Sequence, residues 1–332
     1  MKKSLIQKSD KIFITGHRGM AGSAIYRALE KKGYKNLIIE NRKNLDLSKY
    51  TDVNNWFEKV KPDIVTLCAA KVGGIEANLS MPTEFLLENL RIQNNVIEAA
   101  WKNNVKRLLF LGSSCIYPKY CKQPIEEDEL LTGKLEMTNE SYALAKICGL
   151  RLCTSLRTQY GFDAISLMPT NLYGPGDNYH QINSHVLASL IRRFTDAVRF
   201  NQDEVTCWGS GFVFREFLHA DDLGDACCFV LENWDPRLEG SPKKNNGEVL
   251  DYLNVGTGVD LTIRDLAELI AKNVNYKGKI NWDNSKQDGT PKKLLNISRL
   301  KSLGWKPKID LNEGIKRTVL EYKLKFNVTN II

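Results

Sequence analysis

The 332 residues contain no C-x-x-C pair, and the four histidines show no zinc-type spacing. A structural metal is therefore not expected. The eight cysteines, at 68, 115, 121, 148, 153, 207, 227 and 228, read as free thiols, most of them packed as small hydrophobes. No apolar run approaches the ~20 residues that a membrane helix needs. The opening stretch MKKSLIQKSDKIFITG carries two lysines, but Asp10 and Lys11 interrupt it before any signal-type apolar segment. The expectation is a cytoplasmic protein with no membrane partner. Basic residues outnumber acidic ones by 47 to 39, a net charge of +8, yet they are scattered rather than gathered into a stripe with interleaved aromatics. That argues against nucleic acid and suits a phosphorylated small molecule better. There is no internal repeat, and no low-complexity segment beyond a polar insertion at 236–248.

What is present is a chain 42% hydrophobic and 26% charged, within the range of soluble globular proteins. Apolar runs at 11–15, 36–40, 63–70, 107–112 and 164–174 predict strands. Helix-period segments at 20–32, 51–60, 82–104 and 138–160 fall between them. Continuous apolar strands alternating with helices predict a parallel sheet covered on both faces, a Rossmann-like doubly wound α/β fold with ligands at the carboxyl ends of the strands. After about residue 176 the rhythm changes. Helices are expected at 184–199, 221–233 and 262–274, in a smaller α/β domain. The division is drawn as 1–175 and 176–332, with segments expected to cross between the lobes.

Glycines at 16, 19 and 22 leave the first strand and open a helix. Such a turn lets backbone approach a pyrophosphate, and the helix N-terminus favours negative charge. The end of the second strand offers Glu40, suited to a ribose 2′-hydroxyl, and Arg42, which with Arg18 could clamp a 2′-phosphate. Asp46 could approach the adenine edge. Tyr142 and Lys146 lie four residues apart on one helix face, so the ammonium is expected to lower the phenol's pKa. With Ser113 at a strand end they make a carbonyl-reduction triad.

Cys115 and His185 are surplus to hydride transfer. A lone Cys is ordinarily packing and a lone His an ordinary polar residue. Cys115, however, follows Ser113 by two residues, close to the expected active centre. A thiol and an imidazole, with ordinary pKa values of about 8.5 and 6.5, can both be tuned to acid–base work near neutrality.

The stretches TGHRGMAGSAI, AAKVGGI, LGSSCIYPK, SYALAKICG, MPTNLYGPGDNYH, SHVLASLIRRF, WGSGFVFREFLHADD, LNVGTGVDLTIRDLAELIA and DGTPKKLLNISRLKSLGW run from about residue 11 to 307. Together they resemble the GDP-L-fucose synthase family, the 3,5-epimerase/4-reductases of the extended short-chain dehydrogenase/reductase group. The resemblance implies epimerisation at C3 and C5 and NADPH-dependent reduction at C4 of GDP-4-keto-6-deoxy-D-mannose, by a homodimer. It assigns acid–base roles to Cys115 and His185 and the reduction to Ser113, Tyr142 and Lys146. For NADP it implies Gly16, His17, Arg18, Gly19, Met20, Ala21 and Gly22 at the phosphates, and Arg42 and Asp46 at the adenosine end. Pro169, Thr170, Asn171 and Leu172 would line the nicotinamide side, and Leu111, Gly112, Ser113, Ser114, Lys146 and His185 would be further cofactor contacts. Arg193, Trp208, Arg215 and Asp288 would contact the GDP-sugar. Glu40 departs from the family's more basic pattern at that place. Two alternatives remain open: an enzyme for a related GDP-6-deoxy sugar or heptose, and a non-catalytic regulatory protein on the same fold.

Overall fold

A computed structural model describes residues 4–181, 183–285 and 288–328. The first half alternates as the apolar runs imply: β1 (Ile12–Ile14), α1 (Met20–Lys31), β2 (Leu37–Ile38), α2 (Tyr50–Val60), β3 (Ile64–Leu67), α3 (Ile75–Ser80), α4 (Pro82–Lys102), β4 (Arg107–Leu111), α5 (Glu140–Tyr160) and β5 (Ala164–Pro169). The second half contains β6 (Asn171–Tyr173), α6 (Val186–Arg199), β7 (Glu204–Trp208), β8 (Phe214–His219), α7 (Ala220–Asn233) and β9 (Tyr252–Val255). It continues with β10 (Asp260–Thr262), α8 (Ile263–Asn273), β11 (Lys279–Asp283), β12 (Lys292–Lys293), α9 (Ser298–Ser302) and α10 (Leu311–Lys325).

The main sheet has the order β2-β1-β3-β4-β5-β9, and every pairing in it is parallel. β1, β3, β4 and β5 are buried along their whole length, as a sheet with helices on both faces requires. Strand order reverses between β1 and β3, the switch point at which such sheets bind ligands. The sixth strand, β9, comes from far along the chain, and α7 packs on α1, so the later half contributes to the first lobe.

The predicted strand 164–174 is two strands. β5 ends at Pro169, Thr170 turns the chain, and β6 pairs in parallel with β8 in a second sheet. Thr170 ties the two sheets together: its N–H reaches Val255 O at 3.0 Å and its hydroxyl reaches Glu216 O at 3.3 Å. The second sheet runs β10-β8-β12, and β7 pairs with β11 beside it. Each lobe has its own core, one under the main sheet and one around Phe194, Leu190, Leu266, Ile270 and Ile315. Four cysteines, 153, 207, 227 and 228, are buried, while Cys148 is exposed and Cys68, Cys115 and Cys121 are half-buried, so half of the thiols are core residues rather than most. Among the described residues no helix is long and apolar enough to cross a membrane.

Candidate active site

The carboxyl ends of β1, β3, β4 and β5 open onto a cavity of about 1360 Å³, and every candidate residue named above lines it. At one end stands the glycine turn. Gly16 has a φ of +67°, and a Cβ there would lie 2.9 Å from the Ala69 backbone; a Cβ on Gly22 would lie 2.3 Å from the carbonyl of Gly16. Only glycine lets the turn after β1 close so tightly on the end of β3 and on α1. The N-cap of α1 is Gly19, with no side chain capping it. The first-turn N–H groups of that helix therefore face the cavity without an internal acceptor, the arrangement that receives a pyrophosphate.

At the end of β2, Glu40 is held by its own chain. Its Oε1 accepts from the Trp56 indole N–H at 3.4 Å, and its Oε2 from the Asn44 amide at 3.2 Å. Arg42 is well exposed and stands 3.9 Å from Asp46. The Ser48 hydroxyl and N–H both donate to Asp46, at 2.7 and 3.0 Å, and hold its carboxyl below the ordinary range.

Beneath the cavity's middle, Ser113 leaves β4 in extended conformation and its Oγ accepts from the Cys115 N–H at 3.2 Å. Tyr142, in the first turn of α5, lies beside Ser113. One turn on, Lys146 donates to the Leu111 carbonyl at 2.8 Å, and its Nζ lies 5.8 Å from the centre of the Tyr142 ring. The expected lowering of the phenol's pKa is not what the site does. Burial pushes Tyr142 up, the neighbouring Cys115 adds to that, and the Ser113 hydroxyl only partly offsets it. Burial also brings Lys146 down to about 8. Spacing alone puts the two groups on one face, but removal from water outweighs a cation that is not in direct contact. Tyr142 is thus a protonated phenol, ready to donate.

Cys115 sits in the short turn after Ser113. Its Sγ accepts from the Asn139 amide and from the Lys293 ammonium, each at 3.4 Å. Behind it lies a pocket of about 20 Å³ lined by Glu136, Asn139, Thr290 and Lys293, large enough for one water. Asn139 Oδ1 is buried there with no protein partner. Lys293 and Asn139 carried no role in the sequence reading. Lys293 is brought in by β12, whose register with β8 sets it beside Arg215, and no local pattern announces that. His185 is the N-cap of α6, does not cap with its side chain and is open to the cavity; the protein crowded around it partly desolvates the ring, which lowers its pKa and favours the neutral imidazole.

At the far end, Arg193 donates to the Thr206 carbonyl. Arg215 donates to the carbonyls of Phe214 and Thr290, at 2.7 and 2.6 Å. Both are depressed by burial, so each guanidinium is poorly solvated and suited to an anionic ligand. Trp208 ends β7, lines the cavity and is 59% exposed. Asp288 accepts from the Ser210 hydroxyl and N–H at 2.7 and 3.1 Å, which joins the two loops at the cavity rim.

Comparison with known proteins gives a consistent picture. The model of the NAD dependent epimerase/dehydratase family matches residues 12–241. GDP-L-fucose synthase of Escherichia coli K12 is 52% identical over 309 residues, 93% of this chain and 95% of that protein. GDP-L-fucose synthase 1 of Arabidopsis thaliana is 51% identical over 327 residues, 98% of this chain and 97% of that one. Among solved structures, a GDP-mannoheptose C4 reductase from Campylobacter jejuni with NADP bound superposes with a TM-score of 0.86 at 37% identity, covering 96% of this chain and 99% of the other.

Proposed function

We propose, for a chain that belongs to the NAD dependent epimerase/dehydratase family, the conversion of GDP-4-keto-6-deoxy-D-mannose to GDP-L-fucose. The enzyme inverts C3 and C5 and reduces C4 with NADPH. The observation that carries this reading is the convergence of two sets of proton-handling groups on one cavity: Ser113, Tyr142 and Lys146, and beside them Cys115 and His185.

A C4 ketone acidifies the hydrogens on C3 and C5. Cys115 and His185 take and return protons at those carbons, on opposite faces of the ring. Tyr142 and Ser113 donate to the C4 oxygen, which steadies the negative charge of the enolate. When reduction follows, Tyr142 passes its proton to the same oxygen, and the Lys146 ammonium steadies the phenolate left behind. The bound cofactor supplies the hydride to C4. The first-turn N–H groups around Gly16–Gly22 would hold its pyrophosphate, Arg18 and Arg42 would meet a 2′-phosphate, Pro169–Leu172 would line the nicotinamide side, and Leu111–Ser114 would be further contacts. Arg193 and Arg215 face the diphosphate, Trp208 offers its ring to the guanine, and Asp288 reaches the GDP-sugar from the rim. Residues 1–175 thus serve mainly the cofactor and 176–332 the GDP-sugar. We further infer a cytoplasmic homodimer joined through α4 and α5, which leave Leu87 and Leu144 exposed.

The test is direct. Purified protein is mixed with GDP-4-keto-6-deoxy-D-mannose and NADPH, absorbance of the reduced cofactor is followed, and the product is identified by NMR. GDP-L-fucose is expected. Cofactor oxidation without inversion at C3 and C5 would instead favour the second reading, a C4 reductase for a related GDP-sugar, which the likeness to the mannoheptose reductase supports. No oxidation at all would overturn both.

A further inference from the structure

The end of β2 holds a conflict of charge. Glu40 lines the adenosine end of the cavity together with Arg18 and Arg42. A carboxylate in that place ordinarily accepts a ribose 2′-hydroxyl and repels a 2′-phosphate. Here both of its oxygens are engaged from within, by Trp56 Nε1 at 3.4 Å and Asn44 Nδ2 at 3.2 Å. Neither donor is loose. The Trp56 ring packs on Phe13 and Phe57, with centroids 4.3 and 5.4 Å away. Asn44 sits in a turn closed by its own N–H, which reaches the Asn41 side chain at 3.1 Å and the Asn41 carbonyl at 3.0 Å. The two guanidiniums, by contrast, are little used. Arg18 is exposed and makes no hydrogen bond or ion pair among the described residues. Among the described residues Arg42 reaches only Asp46, at 3.9 Å, whose carboxylate Ser48 already occupies.

We propose that Trp56 and Asn44 are positioning residues for cofactor choice: they hold the Glu40 carboxylate against α2 and the 41–44 turn, which leaves Arg18 and Arg42 to receive a 2′-phosphate. A released Glu40 has two other partners, a neighbouring guanidinium or the ribose hydroxyl, and either one favours NADH over NADPH. The proposal rests on the NADPH reading above and adds to it how an acidic residue is tolerated at this position.

Trp56→Phe keeps an aromatic ring on Phe13 and Phe57 and deletes the N–H; Asn44→Ala deletes the other donor from an exposed turn. Isothermal titration with NADP⁺ and with NAD⁺, in the absence of sugar, measures the effect independently of turnover. The double variant is expected to lose roughly fivefold in NADP⁺ affinity, the scale of a partly exposed charge interaction, with NAD⁺ affinity kept or raised. The NADPH:NADH ratio of kcat/KM falls in parallel. Adding Glu40→Gln to the double variant restores NADP⁺ affinity, because the charge through which the two donors act is gone. An unchanged double variant overturns the proposal, and so does a loss that survives Glu40→Gln. Should the double variant fail to fold, Asn44→Ala with and without Glu40→Gln poses the same question. A wild type that binds NAD⁺ more tightly than NADP⁺ overturns the NADPH reading itself, an outcome distinct from variants that leave a real NADP⁺ preference untouched.

Discussion

Lys293 places its ammonium 3.4 Å from the sulfur of Cys115, although 178 residues separate them in the chain. The Asn139 amide approaches the same sulfur at the same distance. Among the described residues two donors converge on the sulfur and fix its place at the cavity wall, beside Ser113 and the other proton-handling groups.

Lys293→Met removes the charged donor at 3.4 Å from the sulfur and is expected to slow alkylation of Cys115 by on the order of tenfold, the scale of a hydrogen bond to a charged group. Exchange of solvent deuterium into C3 and C5 should fall with it. Mass spectrometry of the peptide that contains Cys115 keeps the exposed Cys148 from confusing the readout. Lys293→Arg, which keeps the charge, should recover most of the loss. Unchanged alkylation in Lys293→Met would show that the ammonium does not act on the sulfur.

Lys146 carries a prediction about stability. Burial depresses it from its ordinary 10.5 to about 8. Between those values the folded protein binds fewer protons than the unfolded chain, so folding gains stability as pH rises through this window. The gain is complete above about 10.5 and is lost as pH falls through about 8. Lys146→Met removes the group. Without cofactor, the variant should be at its most favourable relative to wild type near pH 7, and that advantage should shrink toward pH 10. Urea unfolding at the two pH values measures it; a difference that does not vary with pH would mean that Lys146 is not desolvated as described.

How much of this was legible in the sequence depended on range. Strands β1, β3, β4 and β5 and the glycine turn are local patterns, and the helix that carries Tyr142 and Lys146 states its own periodicity. The break at Thr170 is hidden in the sequence because Leu172 and Tyr173 resume the apolar run after only two polar residues, and only pairing with β8 shows that the chain changes sheets. The direction of the Tyr142 shift was misread because four-residue spacing reports proximity on a helix face, whereas burial depends on what the rest of the chain stacks above it. Lys293 and Asn139 were missed for the same reason: they reach Cys115 through tertiary register. Glu40 was read as ambiguous, since nothing near it in sequence tells that Trp56, sixteen residues on, holds it.

Tyr142→Phe should abolish reduction while leaving the fold intact. The Phe85 ring packs edge-on to Tyr142 at 6.3 Å, a contact that phenylalanine keeps, and only the proton-donating hydroxyl is lost. A positioned donor is commonly worth about 10²–10⁴-fold. Deuterium exchange at C3 or C5 should be slowed but persist, because Cys115 and His185 remain and Ser113 still donates to the enolate oxygen. Near wild-type cofactor oxidation by this variant would remove Tyr142 from the proposed role.

Cys115→Ser separates the two chemistries most sharply. Serine keeps the turn, since the 114–116 segment is held by Ser113 Oγ and the Cys115 backbone N–H rather than by the thiol. The hydroxyl is a far weaker acid than a thiol and cannot take over its proton transfer near neutral pH. Tyr142, Lys146 and the glycine turn are untouched, so reduction should continue on substrate that has not been epimerised. The expected product is a GDP-6-deoxyhexose that keeps the original C3 and C5 configurations, formed in D₂O without deuterium at those carbons. His185→Asn should likewise impair inversion more than reduction. NMR of the products decides between the outcomes: GDP-L-fucose labelled at C3 and C5 and made by Cys115→Ser at the wild-type rate would leave Cys115 a packing residue, with the proton transfers to be assigned elsewhere in the cavity.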